Sequence, residues 1–143
     1  MALRDESEVL LNRARDICRV QEARCADAIV VADIDGRIVF ANARANVLLG
    51  CVRIGSGVED YSCMHGLFTE DGRPYPSSDL PLSRAILRGE TVFDVRLEVR
   101  RYDGTVSLLS VDAEPLYGAG GKQIGGVAMF DVTRLSGEPG STI

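Results

Sequence analysis

Residues 91–133, which read TVFDVRLEVRRYDGTVSLLSVDAEPLYGAGGKQIGGVAMFDVT, decide the fold. In residues 91–101 apolar and charged side chains alternate, which predicts a strand with one solvated face. The apolar side of that strand consists of Phe93, Val95, Leu97 and Val99. A turn follows at residues 102–105, because Gly104 can adopt the positive φ that short hairpin loops require.

Two further strands complete this region. Residues 106–113 return antiparallel to the first strand, and Pro115 ends them. After a glycine-rich loop, residues 124–132 form a more apolar strand of the kind that is buried on both faces. The region therefore predicts a three-stranded antiparallel meander whose apolar face must pack against other elements of the chain.

The front half of the chain supplies those elements. Residues 28–32 predict a buried strand, and an Asp-Gly pair predicts the turn into a second strand at residues 37–40. Asn42 caps a short helix that ends at Gly50. A more regular helix is predicted over residues 80–87, and it leads the chain into the meander.

The two ends of the chain differ from this central part. Apolar residues recur at three- and four-residue steps through residues 4–25, which predicts an amphipathic helix. The stripe expected to form a dimer contact consists of Leu10, Leu11, Ala14, Ile17, Cys18 and Gln21. Such a stripe lies either on the sheet of its own chain or against the same helix of a second copy, and the sequence leaves both open. Residues 136–143 are small and polar, which predicts a disordered tail or a linker.

Composition excludes several classes of protein. The chain has 143 residues, 45% of them hydrophobic, which suits one domain with its own core. A net charge of -5 argues against a nucleic-acid surface, because phosphate binding needs clustered cations. Because no apolar run reaches the length of a membrane span and the first residues include acids, we expect a soluble, cytoplasmic protein that makes no membrane contact. Reduced thiols are expected at Cys18, Cys25, Cys51 and Cys63.

The order of these elements resembles a PAS domain, the sensor module of bacterial histidine kinases, diguanylate cyclases and transcription regulators. The resemblance covers residues 25–135. It rests on Asp27-Ala28-Ile29, Asp35-Gly36-Arg37-Ile38, Asn42, Pro81-Leu82-Ser83-Arg84-Ala85, Gly89-Glu90, Asp103-Gly104, Pro115-Leu116, Gly125-Gly126-Val127 and Asp131-Val132-Thr133.

The resemblance implies an α+β architecture, the PAS fold. Its antiparallel sheet has five strands in the order 2-1-5-4-3, with helices over one face that enclose a pocket. We therefore expect an N-terminal helix over residues 1–25, a PAS sensor domain over residues 26–135 and the tail after it.

Two kinds of site follow from the resemblance. The expected ligand pocket is lined by Ile29, Val31, Leu48, Leu49, Leu67, Phe68, Leu82, Ile86, Phe93, Val95, Leu97 and Leu109. Because protein interiors usually pack without voids, the same residues could instead form a filled core. The expected signal junction is Asp131 and Thr133, whose side chains in the family form hydrogen bonds where a connecting helix leaves for the output domain. Simple capping by Asp131 or Thr133 predicts the same bonds.

Cys63 and His65 are the residues at which a cofactor could bind, as ligands of a soft metal or of haem iron. A structural zinc site, however, needs four ligands at recognisable spacing. Haem-binding members of the family usually supply the ligand from the helix at residues 80–87, which has no histidine here. The Asn-Cys-Arg signature of flavin-type photosensors is absent around Cys51 and Cys63. We expect no cofactor, with metal or haem at Cys63 and His65 as the alternative.

Catalysis by this chain is not expected. A Ser-His-Asp set could be built only around His65, and no glycine-rich phosphate loop precedes a helix. We expect a dimerising sensor from a bacterial signal-transduction protein, such as a diguanylate cyclase or the histidine kinase of a two-component system. It would relay ligand or redox input to an output domain of the same full-length chain. A dimerisation domain without a ligand and a haem or metal sensor remain as alternatives.

Overall fold

The computed structural model describes residues 9–12, 16 and 28–133, without the side chains of Cys63 and Met64. The strands are β1 (Ala28–Asp33), β2 (Ile38–Ala41), β3 (Leu67–Phe68), β4 (Val92–Arg100), β5 (Val106–Tyr117) and β6 (Gln123–Val132). The helices are α1 (Ala43–Leu49), α2 (Tyr61–His65) and α3 (Pro81–Arg88), and short 3-10 turns cover Val58–Asp60, Ser77–Asp79 and Ala119–Gly121. Most of the predicted helix over residues 1–25, including Ala14, Ile17, Cys18 and Gln21, and the predicted tail over residues 136–143 lie outside the described residues.

The strands form one antiparallel sheet in the order β2-β1-β6-β5-β4-β3. The expected α+β fold and the expected order of its five longer strands are confirmed. The addition is β3, in which Leu67 pairs with Val99 and Phe68 with Glu98. A strand of two residues is too short to show any alternation, so the sequence did not indicate it.

The predicted alternation of residues 91–101 is wrong at its beginning. Val92 lies opposite Ala113 and Val95 opposite Val111, so two residues of β4 face one residue of β5. This bulge places Asp94 at a φ of 53° and leaves the Phe93 side chain 72% exposed. The Asp94 N–H donates to the Asp112 carboxylate at 2.8 Å, which compensates for the broken ladder.

The sheet is buried on both faces along its two central strands, β1 and β6. The three helices cover the inner face, where Val30, Leu97, Leu109, Val111 and Phe130 belong to the main apolar core. On the outer face, Ile29, Val31, Leu116, Ile124 and Val127 form a second cluster with Leu10. Because Leu10 is fully buried in that cluster, the N-terminal segment lies on the sheet of its own chain at this residue. Across residues 9–12, 16 and 28–133, no helix is long and apolar enough to span a membrane.

Gly66 provides a test of how closely α2 approaches the sheet. Its φ is +65°, and a Cβ at this position would lie 2.3 Å from the Arg100 carbonyl oxygen. Gly55 has a similar φ of +93°, but a Cβ there would meet no atom within 4 Å. We expect Gly55→Ala to lower the free energy of unfolding by about 1 kcal/mol, because only backbone strain is added.

Gly66→Ala should lower the free energy of unfolding by about 3 kcal/mol or more, because strain and a backbone collision add together. Urea unfolding of both variants, followed by circular dichroism, measures the difference. Equal losses would contradict the close contact between Gly66 and β4.

Candidate functional site

An apolar cavity of about 70 Å³ lies between the inner face of the sheet and the helices. Leu97, Leu109 and Phe130 line it from the sheet, and Leu49, Tyr61 and Leu82 line it from the helices. Engineered cavities of about 150 Å³ admit benzene, and drug-sized ligands need about 300–1,000 Å³. The cavity can therefore enclose only a few apolar atoms unless its walls move.

The structure brings together five of the residues predicted to line the pocket, namely Leu49, Leu67, Leu82, Leu97 and Leu109. Leu48 and Ile86 are buried in the same core without lining the cavity, and Phe68 and Val95 are half-buried. The prediction is wrong for Ile29 and Val31, which point to the outer face, and for Phe93, which the bulge exposes. Because β1 is apolar on both faces, its sequence does not show which residues face inward.

Sequence reasoning missed several residues that line the cavity, among them Val30, Tyr61 and His65. Val30 alternates with Ile29 and Val31, so a correct choice of face for β1 would have found it. The Tyr61 hydroxyl donates to the Gly36 carbonyl, which connects α2 to the turn between β1 and β2. Burial, together with nearby carboxylates, raises the pKa of Tyr61, so its hydroxyl stays a donor throughout the physiological pH range.

His65 forms the polar part of the cavity wall. Its Nε2 accepts from the Arg53 backbone N–H at 3.1 Å, and its Nδ1 donates to the Tyr61 carbonyl at 2.8 Å. These two bonds require the neutral ring with the proton on Nδ1. Burial is the main cause that lowers the pKa of His65, and the Arg53 charge lowers it further.

Metal binding at Cys63 and His65, the alternative to the expected absence of a cofactor, stays untested. In the part of the chain that the structure describes, no three His, Cys, Asp or Glu side chains gather around a point where a metal ion could bind. The side chain of Cys63 lies outside that description, so its distance from His65 is not defined. Both His65 nitrogens already have backbone partners, and a metal would have to replace one of them.

The end of β6 is connected to the helix layer at the residues predicted to form a signal junction. The Asp131 carboxylate accepts from the Arg44 guanidinium at 2.7 Å and from the Val132 N–H at 2.8 Å. The Thr133 N–H donates to the Leu108 carbonyl at 2.9 Å, which keeps the chain paired with β5. Since Arg44 belongs to α1, the last strand and the first helix are joined at this point.

Asn42 adds a second connection at the same end of α1. Its side-chain oxygen accepts from the Ala45 N–H and from the Ile29 N–H, both at 3.0 Å. The first bond caps α1, as the sequence predicts, and the second fixes the cap to β1. The start of α1 is therefore attached to β1 and β6, while its other end, at Leu49, lines the cavity.

The family model described as PAS fold matches residues 16–130. Among solved structures, the PAS domain from Bordetella pertussis BvgS is 14% identical at a TM-score of 0.62, over 92% of this chain and 93% of that one. The PAS domain from the fruit-fly ELK potassium channel is 14% identical at a TM-score of 0.61, over 82% and 95% of the two chains.

A light-oxygen-voltage domain studied with a flavin analogue is 16% identical at a TM-score of 0.61, over 89% of this chain and 91% of that one. At these identities the likeness concerns the fold. No protein of curated function matches this chain in sequence.

The single histidine of the chain allows a clean test by pH. Because the pKa of His65 is lowered in the folded state, the unfolded chain takes up a proton near pH 6.5 that the folded chain does not. The free energy of unfolding should therefore fall as the pH drops below about 6.5. Denaturant titrations between about pH 8 and 5.5 measure this slope.

His65→Gln should flatten that slope and lower the free energy of unfolding by about 1–2 kcal/mol at pH 8, because two buried hydrogen bonds are weakened. Equal slopes in the variant and the original chain would mean that His65 is not responsible.

Proposed function

We propose that this chain, which belongs to the PAS family, is the sensory module of a larger signal-transduction protein. The observation that carries the proposal is the connection from the cavity to the end of β6. Leu49 lines the cavity at the end of α1, and Arg44 near the start of the same helix binds Asp131. A change in the filling of the cavity can therefore reach the residues after β6 through one short helix.

The relay would be a shift between two packing arrangements of α1. A ligand shifts such an equilibrium only by as much as it binds the two arrangements differently. Displacement of Leu49 by a ligand would rotate or translate α1, and the Arg44–Asp131 pair would pass that movement to β6. The chain in this proposal senses and relays, and catalysis belongs to an output domain.

The output domain we propose is that of a bacterial histidine kinase or diguanylate cyclase in the cytoplasm. Support comes from the terminal triplet Asp131-Val132-Thr133, which matches the point where members of the family pass into a connecting helix. Asp131 already bridges the sheet and α1 at that point. A full-length chain with the output domain after residue 135 would place the relay directly before it.

We also propose that the module acts as a homodimer through its N-terminal helix. Leu10 is buried on the sheet of its own chain, and Leu11 beside it is half-buried. The continuation of the stripe toward Ile17 and Gln21 would supply the contact with the second copy. Analytical ultracentrifugation decides whether two copies associate.

The proposed input is a small ligand with an apolar part rather than a large cofactor. Neither a flavin ring system nor a haem fits the cavity of about 70 Å³, and the wall at His65 has both ring nitrogens engaged. The size of the cavity favours ligands of a few heavy atoms.

Asp131→Asn tests the relay. Because Arg44 and Asp131 are each about two-fifths exposed, the free energy of unfolding should change by less than about 1 kcal/mol. In the full-length protein, ligand affinity should stay the same while the response of the output activity is reduced. The measurements are calorimetric binding and output activity with and without ligand.

Asp79→Asn is the matched control, since the Asp79 carboxylate pairs with Arg88 of α3 at 3.2 Å on a similarly exposed surface. This variant should keep the full response. An unchanged response in Asp131→Asn would overturn the relay, and a ligand-independent output would favour a dimerisation module instead.

A further inference from the structure

A cleft of about 390 Å³ lies on the surface beside the apolar cavity. It is formed by the end of α1, the loop that follows and the end of β4, and its charged walls are Arg53, Arg100 and Arg101. Leu49 and His65 line both spaces, so these two side chains form a shared wall between them. A polar, cationic space therefore adjoins an apolar one.

Arg101 is held in place before any ligand arrives. Its Nε donates to the Leu48 carbonyl at 2.8 Å, its Nη1 to the Thr105 hydroxyl at 2.9 Å and its Nη2 to the Ser107 hydroxyl at 2.8 Å. A guanidinium group has five N–H donors in a planar fork, so donors remain after these three bonds. One N–H on each Nη atom can still donate to an anion, and because the side chain is already fixed, little of its freedom is lost on binding.

The charges around the cleft leave an excess of about one positive charge. Arg100 is paired with the Glu98 carboxylate at 2.9 Å, and its guanidinium lies 4.0 Å from the centre of the Phe68 ring. The Asp103 carboxylate accepts from the Thr105 N–H and hydroxyl and lies near the Arg101 charge. Three arginines against two carboxylates favour a monoanion, in a chain whose net charge is -5.

The backbone at the rim of the cleft is strained. Cys51 has a φ of 94°, a conformation that non-glycine residues rarely adopt. Its N–H and that of Gly50 both donate to the Asn46 carbonyl, at 2.8 and 2.9 Å, so the turn after α1 is closed tightly. This turn carries the chain directly from Leu49, in the shared wall, to Arg53, in the cationic wall.

From these features we infer that the cleft and the cavity together bind a short-chain aliphatic monocarboxylate. The carboxylate lies between Arg53 and Arg101, and the hydrocarbon tail displaces Leu49 and enters the apolar cavity. This inference rests on the proposed sensory function and deepens it, because Leu49 is the last residue of α1 and Arg44 of the same helix binds Asp131.

Calorimetric titration of the purified chain with sodium hexanoate, sodium acetate, 1-hexanol and hexyl phosphate tests the inference. Hexanoate should bind at least about tenfold more tightly than 1-hexanol, which lacks the charge, since a hydrogen bond to a charged group is worth about 1.5–3 kcal/mol. Acetate should also bind at least about tenfold more weakly, because it has no tail to place in the cavity.

Arg53→Gln should weaken hexanoate binding by about tenfold. Its matched control is Arg37→Gln, since Arg37 is also exposed but lies outside the cleft, and that variant should bind as the original chain does. Ala128→Val, which fills part of the cavity wall, should weaken hexanoate while leaving acetate unchanged. Thermal unfolding checks that each variant is folded.

Equal binding of hexanoate and 1-hexanol, or an Arg53→Gln variant that binds hexanoate normally, would overturn the inference. Tighter binding of hexyl phosphate than of hexanoate would overturn the carboxylate assignment. A negative result in these titrations would overturn only the proposed ligand. The relay through Asp131 has its own test, which is the output activity of the full-length protein.

Discussion

The central strand β6 must be covered on both faces, and the rest of the structure depends on this constraint. Two adjacent glycines in β6 allow this cover, because they face opposite sides of the sheet and have no side chain in the way. A Cβ at Gly125 would lie 3.1 Å from Leu10 Cδ1 on the outer face, and a Cβ at Gly126 would lie 2.9 Å from Ile86 Cδ1 on the inner face. Leu10 and α3 can therefore both approach the sheet closely, from opposite faces.

The inner layer has a different character from the outer one. On the outer face, Leu10 packs into a compact apolar cluster with Val127 and its neighbours. On the inner face, the short helices α1 and α2 leave a cavity whose wall includes the polar side chains of Tyr61 and His65. Each of these side chains has backbone partners, so the wall stays polar without leaving a buried donor or acceptor unpaired.

A single helix lies between the cavity and the end of β6. The start of α1 is attached to β1 through Asn42 and to β6 through Arg44, and its end contacts both the cavity and the arginine-lined cleft. The bond to Asp131 is exposed and individually weak, whereas the cap at Asn42 is buried. An exposed ion pair beside a buried cap suits the proposed relay, in which this contact changes while the helix stays intact.

The sequence by itself determined the number and order of the longer strands and the cap at Asn42. These features depend on local periodicity and turn chemistry, which neighbouring residues carry. The order in which the strands pair came from resemblance to a family. The inner face of some strands could nevertheless be assigned from the sequence. Leu97 and Leu109 are examples, because their strands alternate between apolar and polar positions.

Only the tertiary structure decided which face of β1 lines the cavity, that Phe93 leaves the core and that Arg53 and Arg101 line one cleft. Ile29, Val30 and Val31 are all apolar, so the sequence does not show which of them face the inner side of the sheet. The bulge at Asp94 involves Asp112, which lies on the neighbouring strand. Arg53 and Arg101 come from distant parts of the chain. The Arg101 side chain reaches this cleft by donating to the Leu48 carbonyl near the end of α1, and Arg53 follows in the next loop, so no local pattern in either segment encodes the arrangement.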